Sequence, residues 1–136
     1  MVTGGCSCGA VRYEARGDCS NSMLCHCRSC RKAAGAPVVA WATFALSGFR
    51  FTEGTPAEFR SSPPVVRTFC DTCGTPLTYR HEDYGDAIDI TTCSLDEPER
   101  FPPTHHSWLS HDVPWVRFGD GLQGFQESRP DRPSSD

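Results

Sequence analysis

The segment CHCRSC places three cysteines within six residues, at Cys25, Cys27 and Cys30. Zinc sites that only stabilise a fold use four protein ligands, whereas catalytic zinc sites keep one coordination position open. The CxCxxC spacing can place three sulfur atoms on one face of a turn that enters a helix. We therefore expect Cys25, Cys27 and Cys30 to hold a catalytic zinc ion whose fourth ligand is water or substrate.

Two other side chains could complete this cluster. His26 stands between two expected ligands, so its side chain should point away from the metal that they share and lie beside the site or at the surface. Cys19 could serve as the fourth ligand. For Cys19 and Cys93 we prefer a role as small apolar side chains in the core, where free cysteines are common.

Four further cysteines form two pairs, Cys6 with Cys8 and Cys70 with Cys73, and a glycine follows each pair. Glycine permits the tight turn in which backbone N–H groups approach sulfur. Two such pairs make a complete tetrahedral site for zinc, and a site without an open position has a structural role. Disulfides or separate buried thiols are the alternative, but the third cluster in the same chain favours zinc. The expected cofactor is thus two Zn²⁺ ions per chain.

The chemistry of the three-cysteine cluster follows from its charge. Zn²⁺ with three thiolates carries one net negative charge, which weakens the metal as a Lewis acid for generating hydroxide from water. Holding the thiolate of a substrate remains favourable. Arg28, Arg31 and Lys32 adjoin the cluster and could lower thiol pKa values and attract a carboxylated substrate. They could equally be solvated residues of a surface helix.

The composition sets the class of protein. The chain has 136 residues, 38% of them apolar and 22% charged, which is typical of one globular domain. A net charge of −4 argues against nucleic acid or an anionic membrane as partners. No apolar run approaches a membrane span, and the first residues lack the pattern of a secretory signal. Nine cysteines without such a signal favour a reducing compartment, so we expect a cytoplasmic protein.

Short alternating runs between glycine- and proline-rich turns predict a mainly antiparallel β fold with one short helix, stabilised by zinc. The helix is expected over Arg28 to Ala34, with Gly35 ending it. Residues 1–127 are expected to form a single domain and residues 128–136 a flexible tail. The predicted strands are Val11 to Glu14, Val38 to Phe44, Phe49 to Thr52, Glu58 to Arg60, Val65 to Phe69, Leu77 to Arg80 and Ala87 to Thr92.

Several segments together resemble one known family. They are GGCSCGAVRYEARG, CHCRSCRKAAGAP, FCDTCGTPLTY, AIDITTCSLDEPERFPPTHHSW and PWVRFGDGLQGF. These segments, spread from Gly5 to about Phe125, resemble the glutathione-dependent formaldehyde-activating enzymes. That family shares its domain with a centromere-associated protein and has an Mss4-like, β-tent fold. Cys93 departs from the resemblance, because the family more often has a small residue such as glycine there, and it could add a reactive thiol.

The resemblance implies the same two zinc sites, one structural at Cys6, Cys8, Cys70 and Cys73. It implies a catalytic one at the CHCRSC cysteines. The activity that it implies is that of an S-(hydroxymethyl)glutathione synthase, a carbon–sulfur lyase that joins glutathione and formaldehyde.

The remaining candidates are histidines and aromatic side chains. A histidine pair near a zinc cleft could act as acid or base on a carbonyl oxygen. For His105 and His106 we prefer a simpler expectation, in which one packs in the core and the other is exposed. Trp41, Phe44, Trp108 and Trp115 are expected to form core or cleft walls.

The chemistry of the three-cysteine cluster favours a zinc-bound thiolate, and the resemblance implies that the protein is a zinc-dependent carbon–sulfur lyase. A small thiol such as glutathione would attack a small electrophile such as an aldehyde, or the adduct would be cleaved in the reverse direction. The alternative is a non-catalytic zinc-binding module that makes protein contacts. The acidic composition and the three-cysteine cluster weigh against that alternative.

Overall fold

The computed structural model describes residues 1–131 as eleven strands and one α-helix. The strands are β1 (Val2–Gly5), β2 (Arg12–Ala15), β3 (Asn21–Cys25), β4 (Val39–Phe44), β5 (Phe49–Glu53), β6 (Ala57–Ser62), β7 (Val65–Phe69), β8 (Pro76–His81), β9 (Ile88–Thr91), β10 (His105–Ser107) and β11 (Gln123–Gly124). The helix α1 is Arg28–Ala34, and short 3₁₀ turns occupy Leu46–Gly48, Thr92–Ser94, Pro98–Arg100 and Leu109–His111. The predicted mainly β fold with one short helix is confirmed.

The strands form two sheets. The smaller has the order β1-β2-β5, and the larger has the order β11-β10-β3-β4-β9-β8-β7-β6. All pairings are antiparallel except those of β10, which lies parallel to both β3 and β11. The expectation of a mainly antiparallel sheet therefore holds, with a parallel exception at the strand beside Cys25.

Strand β4 shows how the sheet separates two apolar layers. Its side chains alternate between faces, as the two-residue period of a strand requires. Trp41 packs with the cysteines of CHCRSC and with Tyr79, whereas Phe44 packs toward Tyr13 and the smaller sheet. One face of the larger sheet thus carries the candidate site, and the other carries most of the remaining core.

The predicted boundaries agree with the structure to within one or two residues at the seven expected strands, and the helix is found at its predicted bounds. Sequence patterns did not indicate β1, β3, β10 or β11. Of the predicted tail, Ser128 and Arg129 lie half-buried against the fold. Residues 132–136 lie outside the described residues, so the proposed boundary at residue 127 remains a prediction. Within residues 1–131, no helix has the length and apolar character needed to cross a membrane.

Candidate metal centres and the adjoining cavity

The end of β3 and the first turn of α1 position the CHCRSC cysteines. Cys25 is the last residue of β3, Cys27 precedes the helix as its N-cap, and Cys30 lies in the first turn. The backbone N–H of Cys30 donates to the sulfur of Cys27 at 3.3 Å. At the other end Gly35 adopts the left-handed conformation, with φ of 62°, and its N–H donates to the carbonyl of Arg31. The helix is thus fixed at both ends.

The three sulfur atoms of this cluster lie within 4.8 Å of one another, and all three side chains are buried. Both terminal nitrogens of the Arg67 guanidinium lie 3.7 Å from the sulfur of Cys30. Contacts from the thiols of Cys25 and Cys27, together with the charge of Arg67, hold the pKa of Cys30 well below its ordinary value. The cluster therefore favours an anionic sulfur even in its buried position.

Arg67 is a site residue that the sequence analysis missed. It lies on β7, is only 6% exposed, and its Nε donates to the hydroxyl of Ser61 at 3.0 Å. Its guanidinium carbon stands 5.0 Å from the ring centre of Tyr79, its partner on β8. The sequence could have indicated this residue, because Arg67 stands at an inward-facing position of the strand VVRTF. Buried arginines are rare unless they are paired.

The second cluster joins two turns that are distant in the chain. The sulfur atoms of Cys6, Cys8, Cys70 and Cys73 lie within 4.8 Å of one another. The N–H of Val11 donates to Cys6 at 3.2 Å, and the N–H groups of Thr72 and Cys73 approach Cys70 at 3.4 and 3.5 Å. These are the N–H to sulfur contacts expected of a metal-binding turn.

The glycines and a threonine support these turns. Gly9 and Gly74 have φ of 81° and 79°, in the left-handed region that side chains with a Cβ rarely adopt. The hydroxyl of Thr75 lies 3.1 Å from the sulfur of Cys73 and, with backbone N–H groups, lowers the pKa of that thiol to about 5. A lowered pKa favours the thiolate, which is the form of cysteine that binds metal.

The sulfur spacing is compatible with zinc. Tetrahedral zinc at about 2.3 Å from each sulfur would place the sulfurs roughly 3.8 Å apart. The observed separations are 3.6 Å between Cys6 and Cys8 and 3.8 Å between Cys8 and Cys70. None of the nine cysteines forms a disulfide. The four-thiol set can thus satisfy all positions of a zinc ion, whereas the three-thiol set leaves one position for another ligand.

A small cavity of about 20 Å³ adjoins the three-cysteine cluster. Cys25, Cys30, Trp41, Tyr79 and Trp108 form much of its wall. Trp108 is the one non-glycine residue with a positive φ, 61°, among residues 1–131. Such a conformation costs a bulky side chain roughly 1–2 kcal/mol, and here it accompanies burial of the indole against the site.

The same cavity contains a buried carboxylate. Asp89 on β9 lines it and is 4% exposed, and it accepts a hydrogen bond from the hydroxyl of Thr43 on the paired strand β4. Sequence reasoning missed this residue because an aspartate inside AIDIT resembles an ordinary outward-facing strand residue. Only the packing of β9 in the middle of the larger sheet encloses it.

The histidines differ from expectation. His26 is buried, so its predicted surface alternative is wrong, and its Nε2 lies 2.9 Å from Nδ1 of His106. His105 and His106 are both buried, which corrects the expectation that one would be exposed. Neither lines the cavity, because His105 Nδ1 meets the hydroxyl of Thr104 and His106 faces His26.

Asp120 ends a hydrogen-bonded series of three side chains beside the cluster, which also includes His106 and His26. It lies 2.9 Å from Nε2 of His106, which donates to the carboxylate. In the tautomer that donates to Asp120, Nδ1 of His106 accepts from Nε2 of His26, and Nδ1 of His26 has no hydrogen-bond partner within residues 1–131. Burial lowers the pKa of His26. This series of side chains holds the segment between Cys25 and Cys27 against β10.

Several other expectations are resolved by position. Cys19 is half-buried beside the core and lies outside both clusters, as expected for an apolar side chain. Cys93 is exposed, so the expectation that it lies in the core is wrong. Trp115 is 73% exposed rather than part of a wall. Arg31 is turned toward the cluster loop, where its Nε donates to the carbonyl of His26 at 3.2 Å. Arg28 and Lys32 are exposed.

Comparison with known proteins agrees with this geometry. A crystal structure of a Rhodobacter sphaeroides protein aligns with a TM-score of 0.60 and 23% identity, covering 69% of this chain and 87% of that chain, which indicates a shared fold. No curated protein matches the sequence. The family model described as glutathione-dependent formaldehyde-activating enzyme matches residues 1–111. The chain therefore belongs to the glutathione-dependent formaldehyde-activating enzyme family.

Proposed function

We propose that the protein is a carbon–sulfur lyase that forms or cleaves the adduct of a low-molecular-weight thiol, such as glutathione, with formaldehyde. The proposal rests on family membership and on the chemistry of the three-cysteine cluster. Cys25, Cys27 and Cys30 would hold a catalytic zinc ion, and Cys6, Cys8, Cys70 and Cys73 would hold a structural one. Both donor sets consist of thiols at spacings compatible with zinc.

The size of the adjoining cavity supports formaldehyde as the electrophile. A single water molecule requires at least about 10–15 Å³ of such space. The cavity of about 20 Å³ beside Cys25 and Cys30 therefore accepts one molecule of roughly that size. A volume this small favours formaldehyde over aldehydes with a longer carbon chain.

The reaction is the addition of a thiol to a carbonyl group. The thiolate sulfur donates an electron pair to the carbonyl carbon, a carbon–sulfur bond forms, and the C=O π pair moves to oxygen, which takes up a proton. In reverse, the hydroxyl loses its proton, the carbon–sulfur bond breaks and the thiolate leaves. Zinc bound at the cluster would supply an open position at which a thiolate stays deprotonated yet nucleophilic.

The chain itself supplies charge and a proton carrier. Arg67 neutralises part of the negative charge on the three thiols through its contact with Cys30. Asp89 lines the cavity and is the group that would exchange a proton with the carbonyl oxygen. Trp41, Tyr79 and Trp108 form aromatic walls of the cavity beside the cluster.

We also propose that residues 1–127 act as one domain in the cytoplasm. The absence of disulfides among nine cysteines supports a reducing compartment, where thiolates remain available as ligands. The acidic composition gives no support for a nucleic acid partner.

The variant Cys27→Ser tests the function. Serine is a poor zinc ligand, so two thiolates remain at the cluster while the four-cysteine site stays intact. We expect a folded protein with about one zinc ion per chain and no thiol-dependent turnover of formaldehyde, measured by metal analysis, circular dichroism and an adduct assay. Cys93→Ser makes the same chemical change at an exposed thiol outside both clusters and should keep both zinc ions and full activity.

Two results would contradict the proposal. Full activity in folded Cys27→Ser would remove the cluster from the chemistry. Wild-type protein that holds only one zinc ion when metal-replete and reduced would favour a non-catalytic zinc-binding module instead.

A further inference from the structure

Two neighbouring pockets, together called the α1 groove, lie along the helix from its solvent-exposed face to Cys30. The inner part of the groove has a volume of about 320 Å³ and its outer part about 520 Å³. Ala33 and Arg67 line both parts, so the two parts are neighbours at these residues. Each volume lies in the range of small-molecule sites, roughly 300–1,000 Å³. The inner part of the groove also borders the small cavity described above, with which it shares the walls at Cys30 and Trp41.

The outer part of the groove is cationic. Arg28 and Lys32 line it, and neither forms an ion pair or hydrogen bond within residues 1–131. The helix that carries them contains no acidic residue. Glu58 on the neighbouring strand precedes Phe59, which lines the groove, so its side chain points to the opposite face of β6. Unpaired positive charge on one side of a groove favours an anionic ligand.

An exposed aromatic side chain adds to this surface. Phe59 is 60% exposed and lines the outer part beside Ser61. An apolar ring next to two free cations is a surface for a ligand that carries both carboxylates and an apolar or amide backbone.

Helix geometry sets the length of that ligand. Successive residues of an α-helix are rotated by about 100°, so Arg28 and Lys32 share a face while Cys30 lies about 200° from Arg28. The two parts of the groove meet at Ala33, which lies between these faces. With a helix diameter of about 10–12 Å, a ligand that reaches both ends must separate its carboxylate from its sulfur by several bonds.

We propose that this groove is the thiol-binding site and that Arg28 and Lys32 bind the carboxylates of a peptide-like thiol while its sulfur lies at Cys30. This inference rests on the proposed function for the reaction of the thiol sulfur. Binding of the carboxylates by Arg28 and Lys32 does not depend on that function. Short neutral thiols reach Cys30 without contacting the two cations, so Arg28 and Lys32 determine specificity for long, carboxylated thiols. Arg31, which is bonded to the carbonyl of His26, takes no part in this recognition.

Binding can be measured without catalysis. S-methylglutathione keeps both carboxylates but has no free thiol, so its binding reports on the groove alone. In an NMR titration of the zinc-loaded protein, we expect shifts at amides of α1 and β6. We expect Kd to rise about threefold in Arg28→Gln or Lys32→Gln and about tenfold in the double variant. Arg117→Gln removes one exposed charge elsewhere and should leave Kd unchanged.

The kinetic arm separates this inference from the proposed function. With formaldehyde, the double variant should lose about tenfold in kcat/KM for glutathione and stay unchanged with 2-mercaptoethanol or glutathione diethyl ester. Equal losses for all thiols, or S-methylglutathione that does not bind wild type, would overturn the inference. A protein that binds S-methylglutathione through both cations but forms no adduct would overturn the proposed function and leave this site standing.

Discussion

Arg67 brings a positive charge into a cluster of three buried thiols. Without Arg67, the negative charge of a thiolate in this buried cluster would have no positive side chain beside it. Uncompensated charge is costly away from water. Its position is held by Ser61 and by the ring of Tyr79, so the guanidinium is fixed rather than mobile. Groups that contact metal ligands in this way control how strongly the ligands bind their metal.

We expect Arg67→Met to weaken zinc binding at the CHCRSC cluster by roughly 10- to 100-fold, because the neutral side chain no longer stabilises the thiolate of Cys30. Competition with a chelator measures this affinity in protein that keeps its structural zinc. Arg60→Met on neighbouring β6 removes an exposed pair with Glu82 and serves as the control. Unchanged affinity in a folded Arg67→Met would show that the contact with Cys30 has no electrostatic effect.

Asp89 gives a second prediction for a single residue. Asp89→Asn retains the shape of the side chain and can still accept from Thr43, but it cannot take up a proton. Turnover should fall at least about 100-fold while zinc content stays at wild-type level. Asp86→Asn, at an exposed carboxylate bonded to Ser47, is the matched control. Should Asp89→Asn retain full activity, another group must carry the proton.

At the scale of elements, the parallel strand β10 brings distant segments to the site. It pairs with β3 so that Ser107 lies opposite Cys25, and it places His106 beside His26. The smaller sheet is attached from the other side, where the hydroxyl of Tyr13 on β2 lies 2.6 Å from that of Ser94. This contact holds β2 against the turn that follows β9.

Tyr13 predicts the response of this attachment to alkaline pH. Burial raises the pKa of Tyr13, whereas an unfolded tyrosine ionises near pH 10. Above that pH the unfolded state binds fewer protons than the folded state, so stability falls as pH rises. Wild type should lose roughly 1 kcal/mol more than Tyr13→Phe between pH 10 and 11, measured by urea unfolding.

Comparison with Tyr84→Phe controls for the other effects of alkali, because Tyr84 lies in a loop and stacks on His81. At pH 8 Tyr13→Phe should be less stable than wild type by about 1 kcal/mol, through the lost hydrogen bond. Parallel curves of unfolding free energy against pH for wild type and Tyr13→Phe up to pH 11 would show that ionisation of Tyr13 does not cause this loss of stability.

For the whole molecule, the four-cysteine cluster joins the segment after β1 to the turn between β7 and β8. The two segments belong to different sheets. Zinc binding at structural sites contributes of order 10 kcal/mol or more, which is comparable with the total stability of a domain, about 5–15 kcal/mol. Loss of this ion should therefore affect the fold as a whole.

We predict that Cys73→Ser loses the structural zinc and unfolds or aggregates, and that its melting temperature falls far below that of wild type. Thermal melting and metal analysis on the same sample provide the measurement. Cys93→Ser, which changes an exposed cysteine outside the clusters, should melt as wild type does. A Cys73→Ser protein that is as heat-stable as wild type would show that the cluster does not support the fold.

The spacing of cysteines in the sequence was sufficient to predict both clusters. Ligands two or three residues apart lie on one turn, and the geometry of a turn depends only on local backbone preferences. The same is true of α1, whose end is set by the left-handed conformation of Gly35, and of β7, whose β-branched and aromatic residues are typical of a strand. The joining of Cys6 and Cys8 to Cys70 and Cys73 followed from the four ligands that zinc requires.

Only the tertiary structure decided which other side chains meet the site. Arg67 reaches Cys30 across 37 residues, and His106 reaches His26 across 80. These contacts depend on the order and register of strands, which no local pattern encodes. Burial of Asp89 likewise depends on the central place of β9 in the larger sheet. The sequence by itself determined where metal could bind, and the pairing of distant strands decided which charged side chains and what space lie around that place.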